Sequence, residues 1–526
     1  MQKPSYTPRL LAKILICLAA LVLGGLSSAL FWSNAQQVPI VGVPVPPTPV
    51  IVSGDQAPSA IPPAPTPVPP TPTAYARAPR PAPVANVPNV RVSRDEFTAH
   101  SEVSLAQNPR DAQNFVGASK MFTDNEDYVF RIGTYASADG GKTWVDNGQL
   151  PGLEQFEITS DPVVAFDSSG TAYVEVLAAR GPEQRSALYL YSSKDGGRTW
   201  SEPQLVTDDA SGFNDKNWLT TDITGGQHDG SLYTTWVQIV GARGREDEYR
   251  ILFARSTDGG ATWSEPQEIA GDAGVVRQGP NVSVDAQGDV YLLWSNLSAN
   301  RLEVAASTDG GATFGEVRDG PPFQNIRPLK GDLRNGLVLA GVSADPVKSD
   351  TLYAVWGDWR LGEAEVAFSV THDGGATWRS PVVVNGVRTN DQFQPTVAAN
   401  KAGEIYVQWF DRRDDRNNLL VHTYAARSTD DGNTWSELRV TDVASNPTVG
   451  LPRAGEDGFY GDYQALVADE TGVQLFWNET RDGQQEVYTA RILRDRWGMP
   501  YVVPKSGPID PEQNDIPEAN ESSEQE

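Results

Sequence analysis

The chain has 526 residues and a formal net charge of −26, enough length for several domains or one large closed β structure. So acidic a balance excludes nucleic acid as a partner, because phosphate binding needs a basic surface. The one cysteine, Cys17, excludes an internal disulfide and a cysteine-based zinc site, and His100, His228, His372 and His422 have no ligand spacing, so the residues imply neither a metal nor a cofactor.

Residues 1–13 carry Lys3, Arg9 and Lys13 and no acid, and Ile14 to Trp32 is an apolar run of 19 residues broken only by Gly and Ser. That is close to the ~20 residues that span a bilayer. Two readings stay open for 1–35. One is a transmembrane anchor whose basic flank keeps the N-terminus in the cytoplasm. The other is a signal peptide cleaved near Ser33-Asn34-Ala35. Both place the rest of the chain outside the cell membrane, tethered in the first case and secreted in the second. Residues 36–90 are rich in Pro, Ala, Val and Thr, as in Pro62-Pro63-Ala64-Pro65-Thr66-Pro67. Proline gives a sheet no donor and favours polyproline II. The segment therefore reads as a disordered stalk, reaching on the order of 150 Å over about 50 residues.

From 91 to 506 one phrase dominates. Ser193 to Trp200 reads SKDGGRTW, and related copies start at 137, 256, 307, 371 and 428. A phrase recurring every 51 to 64 residues marks a repeat architecture. Alternating stretches such as Leu188-Tyr189-Leu190-Tyr191 precede it and suit strands. Asp-Gly-Gly then turns the chain, with the carboxylate accepting backbone N–H bonds and glycine supplying positive φ. The closing Trp or Phe is large enough to pack between units, and Trp200 and Trp263 are expected to be buried there. Asp139, Asp195, Asp258, Asp309, Asp373 and Asp430 thus read as structural; each copy has too few carboxylates for a calcium loop. Each unit also has two inner strands before the phrase, so it reads as a four-stranded propeller blade. First strands recur near 103, 163, 218, 282, 337, 396 and 465. That predicts an all-β propeller of seven blades, six being the alternative from the phrase count; the seventh unit, Tyr463 to Ile492, lacks the phrase. Residues 507–526 are acidic, without an apolar cluster, and read as a disordered tail.

In that topology the phrases share one face, and function is expected on the other. Two register-matched sets point there. Six residues before the residue closing strand one stand Asp161, Lys216, Gly279, Gln394 and Tyr463, and Gly458-Phe459-Tyr460-Gly461-Asp462-Tyr463 occurs in no other unit. After strand two, Trp356 to Arg360, Trp409 to Arg413 and Trp477 to Arg481 share the form Trp-x-acid-x-Arg. The three arginines suit a carboxylate ligand; a local pair with the acid two residues earlier is the competing reading.

The repeated phrase resembles the Asp-box, or BNR, repeat of bacterial sialidases and related β-propellers, over roughly residues 96–506. The resemblance implies a sialidase-like site with an arginine triad, a tyrosine nucleophile helped by a glutamate, and an aspartate acid/base. Arg360, Arg413, Arg481 and Tyr463 are partial counterparts. Tyr463, Asp462 and Asp215 are then the candidate catalytic residues, and Arg360, Arg413, Arg481, Lys216 and Tyr460 the candidate ligand contacts. The chain departs from the pattern where Phe130-Arg131-Ile132-Gly133 lacks the family's proline, and no glutamate is assignable beside Tyr463. Three functions remain: binding of a glycan or cell-surface protein, exo-α-sialidase-type hydrolysis, and a structural surface role.

Overall fold

The computed structural model describes residues 82–498, apart from 126–128, 181–185, 209–210, 242–246, 332, 334–337 and 455–456. The expected anchor or signal segment, most of the stalk and the acidic tail lie outside these residues. Among the described residues no helix is long and apolar enough to cross a membrane.

Among the described residues seven four-stranded antiparallel sheets follow one another along the chain. We number them as blades I (99–149), II (158–207), III (213–270), IV (277–322), V (341–383), VI (392–439) and VII (465–493). Blade VII takes its fourth strand from Val90–Arg91, paired antiparallel with Glu486–Leu493. The ring closes where His100 N–H donates to the Gln485 carbonyl at 2.8 Å. Second strands such as Ala172–Ala179 are buried throughout, since neighbouring blades cover both faces, whereas the fourth strand Val145–Gln149 is short, polar and half-exposed, as a sheet edge should be.

The Asp-boxes turn as the sequence predicts. Asp309 Oδ1 accepts from Ser307 Oγ (2.7 Å) and Thr313 N–H (2.9 Å), while Oδ2 accepts from Thr313 Oγ1 (2.6 Å). The same hydroxyl–carboxylate pair closes the other five boxes. The Thr313 hydroxyl, then its N–H, holds the Asp309 carboxyl down at about 2. The second box glycine is needed for close approach as well as for its positive φ. A Cβ on Gly197 (φ +84°) would lie 2.3 Å from Val116 of the preceding blade. The closing aromatics correct one expectation. Trp144 and Trp435 are buried, but Trp200 and Trp263 are only half-buried.

The last residues assigned to the stalk belong instead to the propeller. Arg439 N–H donates to the Pro83 carbonyl (3.0 Å), Ala85 N–H donates to the Arg439 carbonyl (2.8 Å), and Val90–Arg91 completes blade VII. A charged cluster secures this closure. Glu486 accepts from Arg91 and from Ser93 Oγ (2.5 Å), and buried His100 lies between Glu486 (3.3 Å) and Asp95 (3.1 Å). Burial opposes a charged imidazole, but hydrogen bonds to Asp95 and Glu486 outweigh it and push His100 up to about 9. Stability from this group is complete below the unfolded value near 6.5 and is lost as pH rises through 9. The loss should approach about 3 kcal/mol at ~1.36 kcal/mol per pH unit. Urea melts at pH 6 and pH 10 should show it in the wild type and not in His100→Gln; equal losses in the two proteins would show that His100 is not charged.

Candidate functional site

Because every third strand runs into a box and the strands alternate in direction, strand-one entries and strand-two exits lie at the opposite end of the ring. There a central channel opens, with a cavity of about 200 Å³ to which all seven first strands contribute. Five first strands carry a bulge at one register position: the ladder shifts between Ser101 and Ser104, Ser160 and Val163, Asp215 and Trp218, Gln278 and Asn281, and Phe393 and Thr396. The first bulged residue is left-handed in each: Glu102 (φ 50°), Asp161 (51°), Lys216 (52°), Gly279 (59°) and Gln394 (50°). Only one is glycine. Each of the others holds a strained backbone at a cost of ~1–3 kcal/mol, a condition that clusters at functional sites.

Three of these residues meet in one network. Lys216 Nζ bonds Asp462 Oδ2 (2.5 Å) and Glu102 Oε1 (3.3 Å), and Glu102 Oε2 accepts from Lys120 Nζ (2.9 Å). Asp161 accepts Lys216 N–H and Tyr463 O–H, each at 3.2 Å. The Tyr463 ring lies edge-on to Trp218, centroids 6.0 Å apart. Burial works against the Lys216 charge, but Asp462, Glu102 and Asp161 outweigh it and hold the ammonium well above its ordinary value. Burial pushes the Glu102 carboxyl up, against the pull of Lys120 and Lys216. Burial and then Asp161, Glu102 and Asp462 push the Tyr463 phenol well above 10, so it stays a protonated donor.

Tyr463, Asp462 and Lys216 are therefore together at the channel mouth, with Glu102, Asp161 and Lys120 behind them. Glu102 escaped the sequence analysis because Asn108, not Asp, closes its strand; the same six-residue offset leads back to it. Asp215 makes none of the hydrogen bonds given above for the cluster; its charge helps raise both the Lys216 ammonium and the Tyr249 phenol. Tyr460 is corrected from ligand contact to core. It is 1% exposed, packs on Phe410 with centroids 5.0 Å apart, and its hydroxyl meets Ser445 Oγ at 3.2 Å. The unique phrase has a packing reason at Gly461 (φ +96°), where a Cβ would lie 3.2 Å from Glu102 N.

The arginine clamp is also corrected. Arg360 is bonded to Asp358 through Nε (2.9 Å) and Nη2 (2.6 Å). Arg413 is bonded to Asp411 through Nε (2.8 Å) and also pairs with Glu437. Arg481 pairs with Glu479 and with Asp442 (2.8 Å). In two of the motifs the same acid also accepts the indole N–H, from Trp356 (2.9 Å) and Trp409 (2.7 Å). Trp-x-acid-x-Arg is a local staple from strand two to its exit loop. Its guanidiniums are neutralised where they stand.

On the box face, Asp285, Asp289 and Asp350 bring carboxylate oxygens within 4.8 Å of one another. Asp285 already accepts N–H bonds from Gln287 (2.9 Å), Asp289 (3.1 Å) and Asp350 (2.8 Å), so the trio has a turn-forming role without an ion.

The BNR repeat-like domain matches residues 121–319 and 230–456. The chain belongs to the BNR repeat-like family. No curated protein matches it. Among solved structures this BNR propeller is similar to a protein of unknown function from Dyadobacter fermentans (17% identity, 61% of this chain and 93% of that one, TM-score 0.43). It is also similar to the Hadza microbial sialidase Hz136 (13%, 79% and 99%, 0.42) and to the GH93 α-L-arabinofuranosidase of Fusarium graminearum solved with arabinobiose (13%, 78% and 98%, 0.43).

Proposed function

We propose that this BNR propeller binds a glycan at the channel mouth opposite its Asp-boxes, after export directed by its N-terminal segment. The supporting observation is the strained ring. Glu102, Asp161, Lys216 and Gln394 keep functional side chains where glycine would relieve the backbone, and Lys216 joins Asp462 and Tyr463 at one opening. The outside location would be tested by whether protease added to intact cells reaches the propeller.

A second reading, exo-α-sialidase-type hydrolysis, is favoured by one contact. Tyr463 O–H donates to the carboxylate of Asp161, and a tyrosine nucleophile is a recognised exception to the two-carboxylate scheme. Two observations weigh against it: the phenol is held protonated, and Arg360, Arg413 and Arg481 are neutralised locally. The expected result is saturable binding on a glycan array without release of fluorophore from a sialoside, the binding weakened about tenfold in Tyr463→Phe, as for loss of one buried hydrogen bond. Turnover that Tyr463→Phe abolishes would establish the hydrolase. Capture of a cell-surface protein with no glycan signal would overturn the glycan reading.

A further inference from the structure

We propose that the channel mouth takes an uncharged, hydroxyl-rich sugar ring and rejects sugars bearing a carboxylate; this rests on the glycan-binding reading above. Charge is the first argument. Among the described residues lining the channel, Lys216 is the one cation and Asp462 the one acid. The ammonium is held between Asp462 (2.5 Å) and Glu102 (3.3 Å). A ligand carboxylate reaching Lys216 would have to stand beside Asp462, and like charges at close range are disfavoured. The arginines after strand two offer no substitute, since Arg360, Arg413 and Arg481 are each paired with an acid in their own loop.

Hydrogen-bonding capacity is the second argument and is independent of the first. Two amides lining the channel each keep a buried oxygen with no donor among the described residues, Asn217 Oδ1 and Gln394 Oε1. Their nitrogens are already engaged, Asn217 Nδ2 with the Asp161 carbonyl (3.2 Å) and Gln394 Nε2 with the Gly461 carbonyl. Asn217 is 1% exposed. Leaving such acceptors unmet costs ~1–3 kcal/mol each. These two acceptors therefore have no donor from the described residues of the protein. A sugar hydroxyl supplies one, whereas an ionised carboxylate only accepts. Trp218 and Tyr463, edge to face, with Pro280 and Pro395 among the lining residues, give the C–H face of a ring an apolar wall.

The test uses full-length protein and pairs of sugars that share a ring and differ in oxidation at one carbon: galactose with galacturonic acid, and glucose with glucuronic acid. Binding is followed by calorimetry and ligand-detected NMR at neutral pH. The neutral member of at least one pair should bind about tenfold or more tightly than its acid. Equal or tighter binding of the acids would overturn the inference and leave the glycan-binding reading in place. No binding by either member of either pair, with a blank glycan array, would remove the reading and the inference together. Asp462→Asn takes away the competing charge and should raise affinity for the acid about tenfold. A variant that folds and still rejects the acid as strongly as the wild type would show that Asp462 is not the source of discrimination. The wild-type pairs decide the matter even if this variant fails to fold.

Discussion

Lys216→Ala should cost about 3–5 kcal/mol, the range for removing one partner of a buried ion pair, and should abolish ligand binding with it. The ammonium is 7% exposed and lies between Asp462 and Glu102, whose carboxylates are 9% and 1% exposed. Without it Asp462 loses its 2.5 Å partner and Glu102 loses Lys216 and keeps Lys120. A buried carboxyl that has lost this ammonium must then take up a proton or draw in water. The variant should accordingly regain stability as pH falls, as carboxyl groups stranded in a buried site become neutral. Lys216→Met, which fills the space without the charge, should lose nearly as much. Urea melts at pH 7 and pH 5 check this. A loss below about 1 kcal/mol at pH 7 would mean that the network is solvated and the ammonium not required.

Trp435→Ala should cost about as much, ~3–5 kcal/mol, for a different reason. This ring is fully buried, meets Phe368 of blade V at 5.2 Å in a T-shaped contact, and belongs to the cluster joining blades V and VI. Its removal opens a cavity between two sheets that cannot collapse without moving a blade. Trp263, in the same place in its own Asp-box but half-buried, should lose only about 1–2 kcal/mol on truncation, in proportion to the apolar area it covers. The ratio between the two variants is the measurement; equal losses would mean that burial at the box does not set the cost.

What could be read from the chain divides along one line. Features written as a local phrase were legible. The Asp-box gave the turn, its hydrogen bonds and the repeat, and counting back from the strand-closing residues found Asp161, Lys216, Gln394 and Tyr463 on one ring. Features that depend on distant chain were not. Val90–Arg91 is two residues with no pattern of their own, and its partner strand begins at Glu486. Burial was also hidden. Tyr460 and Arg413 look like ligand groups in sequence, but the strand-one entry of blade VII turns Tyr460 onto Ser445 and the strand-two exit of blade VI turns Arg413 onto Asp411. The arginine motif misled because local staples and binding clamps use the same residue types. Repetition in adjacent blades points to the staple, as in the boxes themselves.

The closure through Val90–Arg91 sets an order of events during synthesis. The strand that completes blade VII emerges from the ribosome before any blade, and its partners come last. Arg91 and Glu486 are 395 residues apart, which takes roughly 20–80 s at ~5–20 residues per second. Throughout that interval Val90–Arg91 has no sheet to join, and the outer edge of Glu486–Leu493 does not yet exist. Blades I to VI can pair internally as they appear, but the ring stays open until translation is nearly over. A ribosome stalled before residue 486 would therefore hold a horseshoe whose two terminal blades show each other unpaired faces, the state in which this chain most needs a chaperone.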